Sequence, residues 1–110
     1  MFYIEGTDIF LTRGDTAYLH VEIKDENGNT YSLKNTDILT LTVRKHPNET
    51  KVYLKSVGDR SGNFIILPKD TENMYFGEYK YDIQLFINEE EIYTIIPVSS
   101  FNVLEEVTWN

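Results

Sequence analysis

Apolar residues in this chain recur at every second position, and that period constrains the fold more than any other feature. In "TAYLHVEI" Ala17, Leu19, Val21 and Ile23 alternate with Thr16, Tyr18, His20 and Glu22, as in a strand with one buried face. "ILTLTVRK" repeats the pattern with Leu39, Leu41 and Val43 against Thr40, Thr42 and Arg44. "GEYKYDIQLFI" aligns Tyr79, Tyr81, Ile83, Leu85 and Ile87 on one side, which predicts the longest strand, in a central position. "KVYLKSV" and "NFIIL" follow, and the "GDRSG" between them, with Gly58, Asp59 and Gly62, has the composition of a hairpin connection. "EIYTIIP" and "SSFNVLEEV" complete the set, with Pro97 expected to separate them because proline cannot donate to a ladder.

A single segment argues for helix. "PKDTENMY" has Pro68 near its start, Asp70 or Thr71 as an N-cap, and Gly77 just past its end. Seven to eight short antiparallel strands with turn signals every ~8 to 12 residues predict an all-β fold, an immunoglobulin-like β-sandwich with one short helical turn near 68–76. The paired cysteines of true immunoglobulin domains are missing, so the expectation concerns architecture. A length of 110 residues fits one domain, 1–110.

Composition excludes more chemistry than it suggests. With no cysteine, disulfide scaffolds, Cys-based zinc sites and thiolate catalysis are ruled out. Eighteen acidic against ten basic residues give a net charge of −8, and Arg44-Lys45 is the densest basic pair, so neither a nucleic-acid nor a membrane partner is expected. "MFYIEGTDIF" lacks the basic start and unbroken apolar run of a secretory leader. "DENGN" at 25–29 places Gly28 fourth, where a calcium loop needs glycine sixth and a bidentate glutamate twelfth. It reads instead as a tight turn at Asn27-Gly28. Glu89-Glu90-Glu91 and Glu105-Glu106 read as solvated runs. His20, on an outward strand face, and His46, in "KHPNE", have no partner spacing for a triad or a metal pair. No metal, cofactor or enzymatic activity is expected.

"FLTRGDTAYL" contains Arg13-Gly14-Asp15, a tripeptide that adhesion proteins present to integrins from mobile loops. Here it runs straight into an alternating strand, so no integrin partner is expected and a structural turn is. Gly14 supplies a bend, Asp15 or Thr16 bonds nearby backbone donors, and Arg13 pairs locally or with Glu105 and Glu106. Partner contacts are sought among aromatic residues. An even-numbered turn after Ile87 would set Phe86 beside Tyr93 on the outer side of a sheet; Tyr18 and Trp109 are the other candidates.

Across residues 11–109, "LTRGDTAYLHVEIKDENGNTYSL", "ILTLTVRK", "ILPKDTENMYFGEYKYDIQL" and "IIPVSSFNVLEEVTW" resemble small structural proteins of phages and prophages of low-GC Gram-positive bacteria. The pattern is similar in particular to the N-terminal domain family of the phage baseplate upper protein. Its marks are the Arg-Gly-Asp-Thr before the first long strand, the Asn-Gly turn, and the late Gly-x-Tyr-x-Tyr-Asp-Ile strand. The resemblance implies a non-enzymatic virion structural or assembly protein, made in the bacterial cytoplasm, with other virion proteins and copies of itself as partners. The family's protein continues into oligomerising segments and this sequence ends at Asn110, which leaves baseplate or tail, neck and capsid decoration positions open. The alternative is a module that recognises a host glycan or receptor.

Overall fold

The segment with the longest alternation forms the middle of the molecule. In the computed structural model, which describes residues 2–88 and 90–107, β7 (Gly77–Ile87) lies between β4 (Ile38–Arg44) and β8 (Glu91–Leu104). The other elements are β1 (Phe2–Glu5), β2 (Asp8–Thr12), β3 (Ala17–His20), β5 (Leu54–Val57), β6 (Asn63–Ile66) and the helical turn α1 (Pro68–Thr71). A six-stranded sheet in the order β1-β2-β8-β7-β4-β5 is accompanied by a two-stranded sheet of β3 and β6. The inward residues predicted by the period-two pattern supply the core. Leu39, Leu41 and Val43, Tyr79 to Leu85 at alternate positions, and Phe101 with Val103 meet Ala17, Leu19, Phe64 and Ile66 of the smaller sheet in one cluster. The fold is an all-β sandwich with one short helical turn.

The chain changes sheet after β2, β3, β5 and β6, the interleaved connectivity of immunoglobulin-like sandwiches. Tyr79, near the start of β7, donates from its hydroxyl to the carbonyl of Tyr75 at 3.0 Å, as the tyrosine corner of such folds does. Tyr81, two residues on, donates to the Thr7 carbonyl and packs edge-on against Phe101, centroids 6.2 Å apart. Burial first, and then the Asp8 carboxylate, push its phenol up to about 12.

Several local expectations are corrected. β2 runs parallel to β8, from Ile9↔Phe101 to Thr12↔Leu104, so the sheet is mixed. The parallel strand is fastened by polar side chains: Asp8 Oδ1 accepts from the Ser100 amide at 3.0 Å and Asn102 Nδ2 donates to the Ile9 carbonyl at 3.1 Å. β3 pairs only as far as His20, although Ile23 remains buried. β5 and β6 are not a hairpin, because they belong to different sheets. The loop between them carries the chain across: Gly58 donates to Leu39 of one sheet, and the Gly62 carbonyl accepts from Val21 after β3 of the other. Pro97 does not separate two strands either. β8 is continuous, and its register against β7 shifts from Tyr81↔Ser99 to Ile83↔Ile96 and then Gln84↔Thr94, a bulge that removes the demand for a proline donor. β8, rather than β7, is therefore the longest strand. In α1 the N-cap is Leu67; Asp70 lies inside the turn and accepts from the Leu67 amide at 2.7 Å. In the 25–29 turn only Gly28, at φ 81°, takes the left-handed conformation, and Asn27 does not.

Candidate interaction surface

The Arg13-Gly14-Asp15 segment is folded into the body of the protein. Gly14 turns at φ 83°, and its amide donates at 2.9 Å to the hydroxyl of Thr71, a fully buried residue of α1. The Asp15 amide closes the bend onto the Thr12 carbonyl at 3.0 Å. Arg13 reaches the other way: Nη2 meets Glu106 Oε1 at 2.7 Å, Nε lies 3.1 Å from both carboxylate oxygens, and Nη1 donates to the Met74 carbonyl at 3.3 Å. Its guanidinium also lies 4.4 Å from the centre of the Phe76 ring. The bond to Glu106 raises the Arg13 pKa and holds the Glu106 carboxyl below the usual carboxylate range. A bidentate pair stacked on a ring clasps β2 to the end of β8.

The aromatic candidates are dispersed. Three residues separate β7 from β8, an odd number, and the register places Phe86 opposite Ile92 and Leu85 opposite Tyr93. Phe86 and Tyr93 therefore lie on opposite faces, and their expected pairing is overturned by one residue of turn length. Tyr18 stands exposed on the outer face of the small sheet, opposite Ile65. Trp109 lies outside the described residues.

The corrected register brings together residues that the aromatic reading overlooked. Ile38 pairs with Phe86, and Phe86 with Ile92, so three apolar side chains from three adjacent strands form one row on the outer face of the large sheet. Ile38 and Ile92 are 47% and 59% exposed. Val57, on the same face opposite Thr40, extends the row diagonally at 60% exposure. The neighbouring positions Thr40, Gln84 and Thr94 are uncharged. A solvated sheet face ordinarily alternates toward polar residues, and a contiguous apolar row across four strands departs from that pattern. Counting the residues of the β7–β8 turn correctly was the signal that would have found it.

The β5 and β6 edges offer less. The outer edge of β6 is occupied from within the chain: Asn63 exchanges backbone and side-chain bonds with Asp59, and Ser56 donates to the Ile65 carbonyl at 3.4 Å. β5 is four residues long and carries Lys55. Short, charged or internally capped edges discourage strand addition.

A recess of about 250 Å³ opens at the β7–β8 turn end, floored by Ile23, Leu85, Ile87 and Ile95 and walled by Tyr31 and Tyr93. Tyr31 donates to Asp37 Oδ2 at 2.6 Å; that bond and then burial push the phenol up to about 12. Burial pushes Asp37 up, but bonds from Tyr31 and the Lys34 amide outweigh it and leave its carboxyl below the usual range. Tyr93 donates to Glu91 at 2.8 Å, and the rim carries Asp25 and Glu26 without a histidine. The groove beside His20 holds Asp59 as its single carboxylate, with His20 Nδ1 2.8 Å from Asn63 Oδ1. Among the described residues no three His, Cys, Asp or Glu side chains gather as a metal site, and no helix is long and apolar enough to cross a membrane. The sequence matches no protein-family model and no curated protein.

Proposed function

We propose that the chain is a non-enzymatic structural or assembly protein of a phage virion, acting through protein–protein contacts with other virion components. The observation that carries this reading is the outward row of Val57, Ile38, Phe86 and Ile92. It leaves apolar area in water where burial against a partner is worth roughly 25 cal/mol per Å². The sequence resemblance to phage structural proteins supplies the setting, in which baseplate, tail, neck and capsid decoration are the available positions.

The test is incorporation. A phage carrying Ile92→Asp in this gene is expected to yield folded protein in the lysate and particles depleted of it. Incorporation at the normal level overturns the reading. If the unmodified domain instead binds host cells and is missing from purified particles, it is a glycan or receptor recognition module.

A further inference from the structure

The small sheet is shorter than the hairpin it covers. β3 and β6 stop pairing at His20 and Asn63, while β7 and β8 run on to the turn after Ile87. The inner face left over at that end is the recess of about 250 Å³. Its floor is aliphatic: Ile23 and Leu85 are buried, and Ile87 and Ile95 half-buried. Its walls are Tyr31 and Tyr93. Tyr93 is 48% exposed and pairs with the inward Leu85, so the recess lies on the opposite side of the hairpin from the outward row.

Each phenol is spent on a carboxylate, Tyr31 on Asp37 and Tyr93 on Glu91, which leaves the rings as the part of each side chain available to a ligand. The bond to Glu91 raises the Tyr93 phenol, with Glu26 contributing less, and the Tyr31 phenol, raised chiefly by Asp37, feels Glu91 as well. Both tyrosines therefore stay neutral beside negative charge. Asp25 and Glu26 complete the rim. Of the basic residues nearby, Lys24 is engaged by Glu22 at 3.5 Å and Lys34 lies beside Asp37; neither lines the recess.

We propose that this recess binds a small organic cation bearing a trimethylammonium group, of the choline type. The positive charge is selected by the carboxylates of Glu26 and Glu91 and by the negative faces of two aromatic rings. The methyl groups are selected by the floor. Four aliphatic side chains offer no acceptor, so a primary ammonium would give up its water there with N–H groups unpaired, whereas a quaternary ammonium has none to lose. The size agrees, since the recess is smaller than the ~300–1,000 Å³ of pockets for drug-sized ligands. Two rings and an open rim make the binding weak, with a dissociation constant of about 1 mM. The site is separate from the outward row, and the inference does not depend on the assembly reading.

The test is a titration of the isotope-labelled full chain, followed by amide chemical shifts, with choline and with its uncharged isostere 3,3-dimethylbutan-1-ol. Choline is expected to give saturable shifts confined to residues around the recess, at Ile23 to Glu26, Tyr31 and Glu91 to Ile95, and the isostere none that saturate in the same range. Ethanolamine, which has a primary ammonium, and phosphocholine, whose phosphate meets the acidic rim, should each bind at least about threefold more weakly than choline. Tyr93→Leu should weaken choline binding about threefold to tenfold, and Tyr93→Phe, which restores the ring, should recover most of that loss. Glu26→Lys should weaken it by about threefold or more. Absence of saturable shifts, an equal response to the uncharged isostere or to ethanolamine, phosphocholine binding as tightly as choline, or Tyr93→Leu without effect would each overturn the proposal.

Discussion

Thr71 is the residue on which the first bend depends. It is fully buried, and its hydroxyl is the acceptor for the Gly14 amide. Thr71→Val keeps the volume and removes the acceptor, so a part-buried N–H loses its partner at a cost of about 1–3 kcal/mol. Urea denaturation should show that loss, with Thr71→Ser recovering most of it; a stability unchanged in Thr71→Val would mean the bend does not depend on the Thr71 hydroxyl. Glycine positions divide in the same way. Gly28 and Gly62 both sit at φ 81°, but a Cβ on Gly28 meets nothing, whereas one on Gly62 would lie 2.2 Å from the Val21 carbonyl oxygen. Gly28→Ala should cost roughly 1–2 kcal/mol, the strain of the left-handed region. Gly62→Ala should cost at least about 2 kcal/mol more, because the crossover loop must move away from β3. Equal thermal midpoints for the two variants would remove the argument.

At the scale of elements, the crossover between β5 and β6 depends on Asp59. Its carboxylate accepts from the amides of Ser61 and Asn63, each at 2.9 Å, and from Asn63 Nδ2 at 3.2 Å. The Asn63 amide bond is the chief cause of its lowered pKa. A carboxyl depressed in the folded state contributes stability above its unfolded pKa and loses it as pH falls through the folded value. The stability difference between the protein and Asp59→Asn should therefore be largest near neutrality and shrink through the acidic range. A difference independent of pH would show that ionisation of Asp59 adds nothing to the stability of the loop. This loop also marks where sequence legibility ended. Alternation revealed which side chains of β4 and β7 face inward, because burial on one face imposes the period locally. The composition of "GDRSG" revealed a turn but not that its arms enter different sheets, since β5 and β6 find partners in β4 and β3 that lie far away in sequence. Pro97 sits inside β8 for a related reason that the sequence of one strand cannot reveal, as a bulge is a property of two strands together. The outer apolar row depended on a single residue of turn length after Ile87, and aromatic content alone pointed to Phe86 and Tyr93 on opposite faces.

For the whole molecule, β8 separates what holds the fold together from what its surface offers. Phe101 is fully buried, paired with Ile9 on one side and Tyr79 on the other. It therefore joins the parallel strand β2 to the antiparallel centre of the sheet. Phe101→Ala should cost about 3–5 kcal/mol, a large share of the ~5–15 kcal/mol that holds a domain of this kind together. Ile92 belongs to the same strand and the same chemical class, but it faces solvent at 59% exposure. Replacing it by Asp removes little buried area, so stability should move by no more than about 0.5 kcal/mol. Calorimetry on the two variants should thus give a strongly lowered midpoint for Phe101→Ala and an almost unchanged one for Ile92→Asp. A midpoint for Ile92→Asp as low as that of Phe101→Ala would mean that the outer row is part of the fold's own packing and not a surface held for a partner. With the midpoint unchanged, loss of Ile92→Asp from particles reports on contact alone, because the domain that fails to assemble is as stable as the one that does.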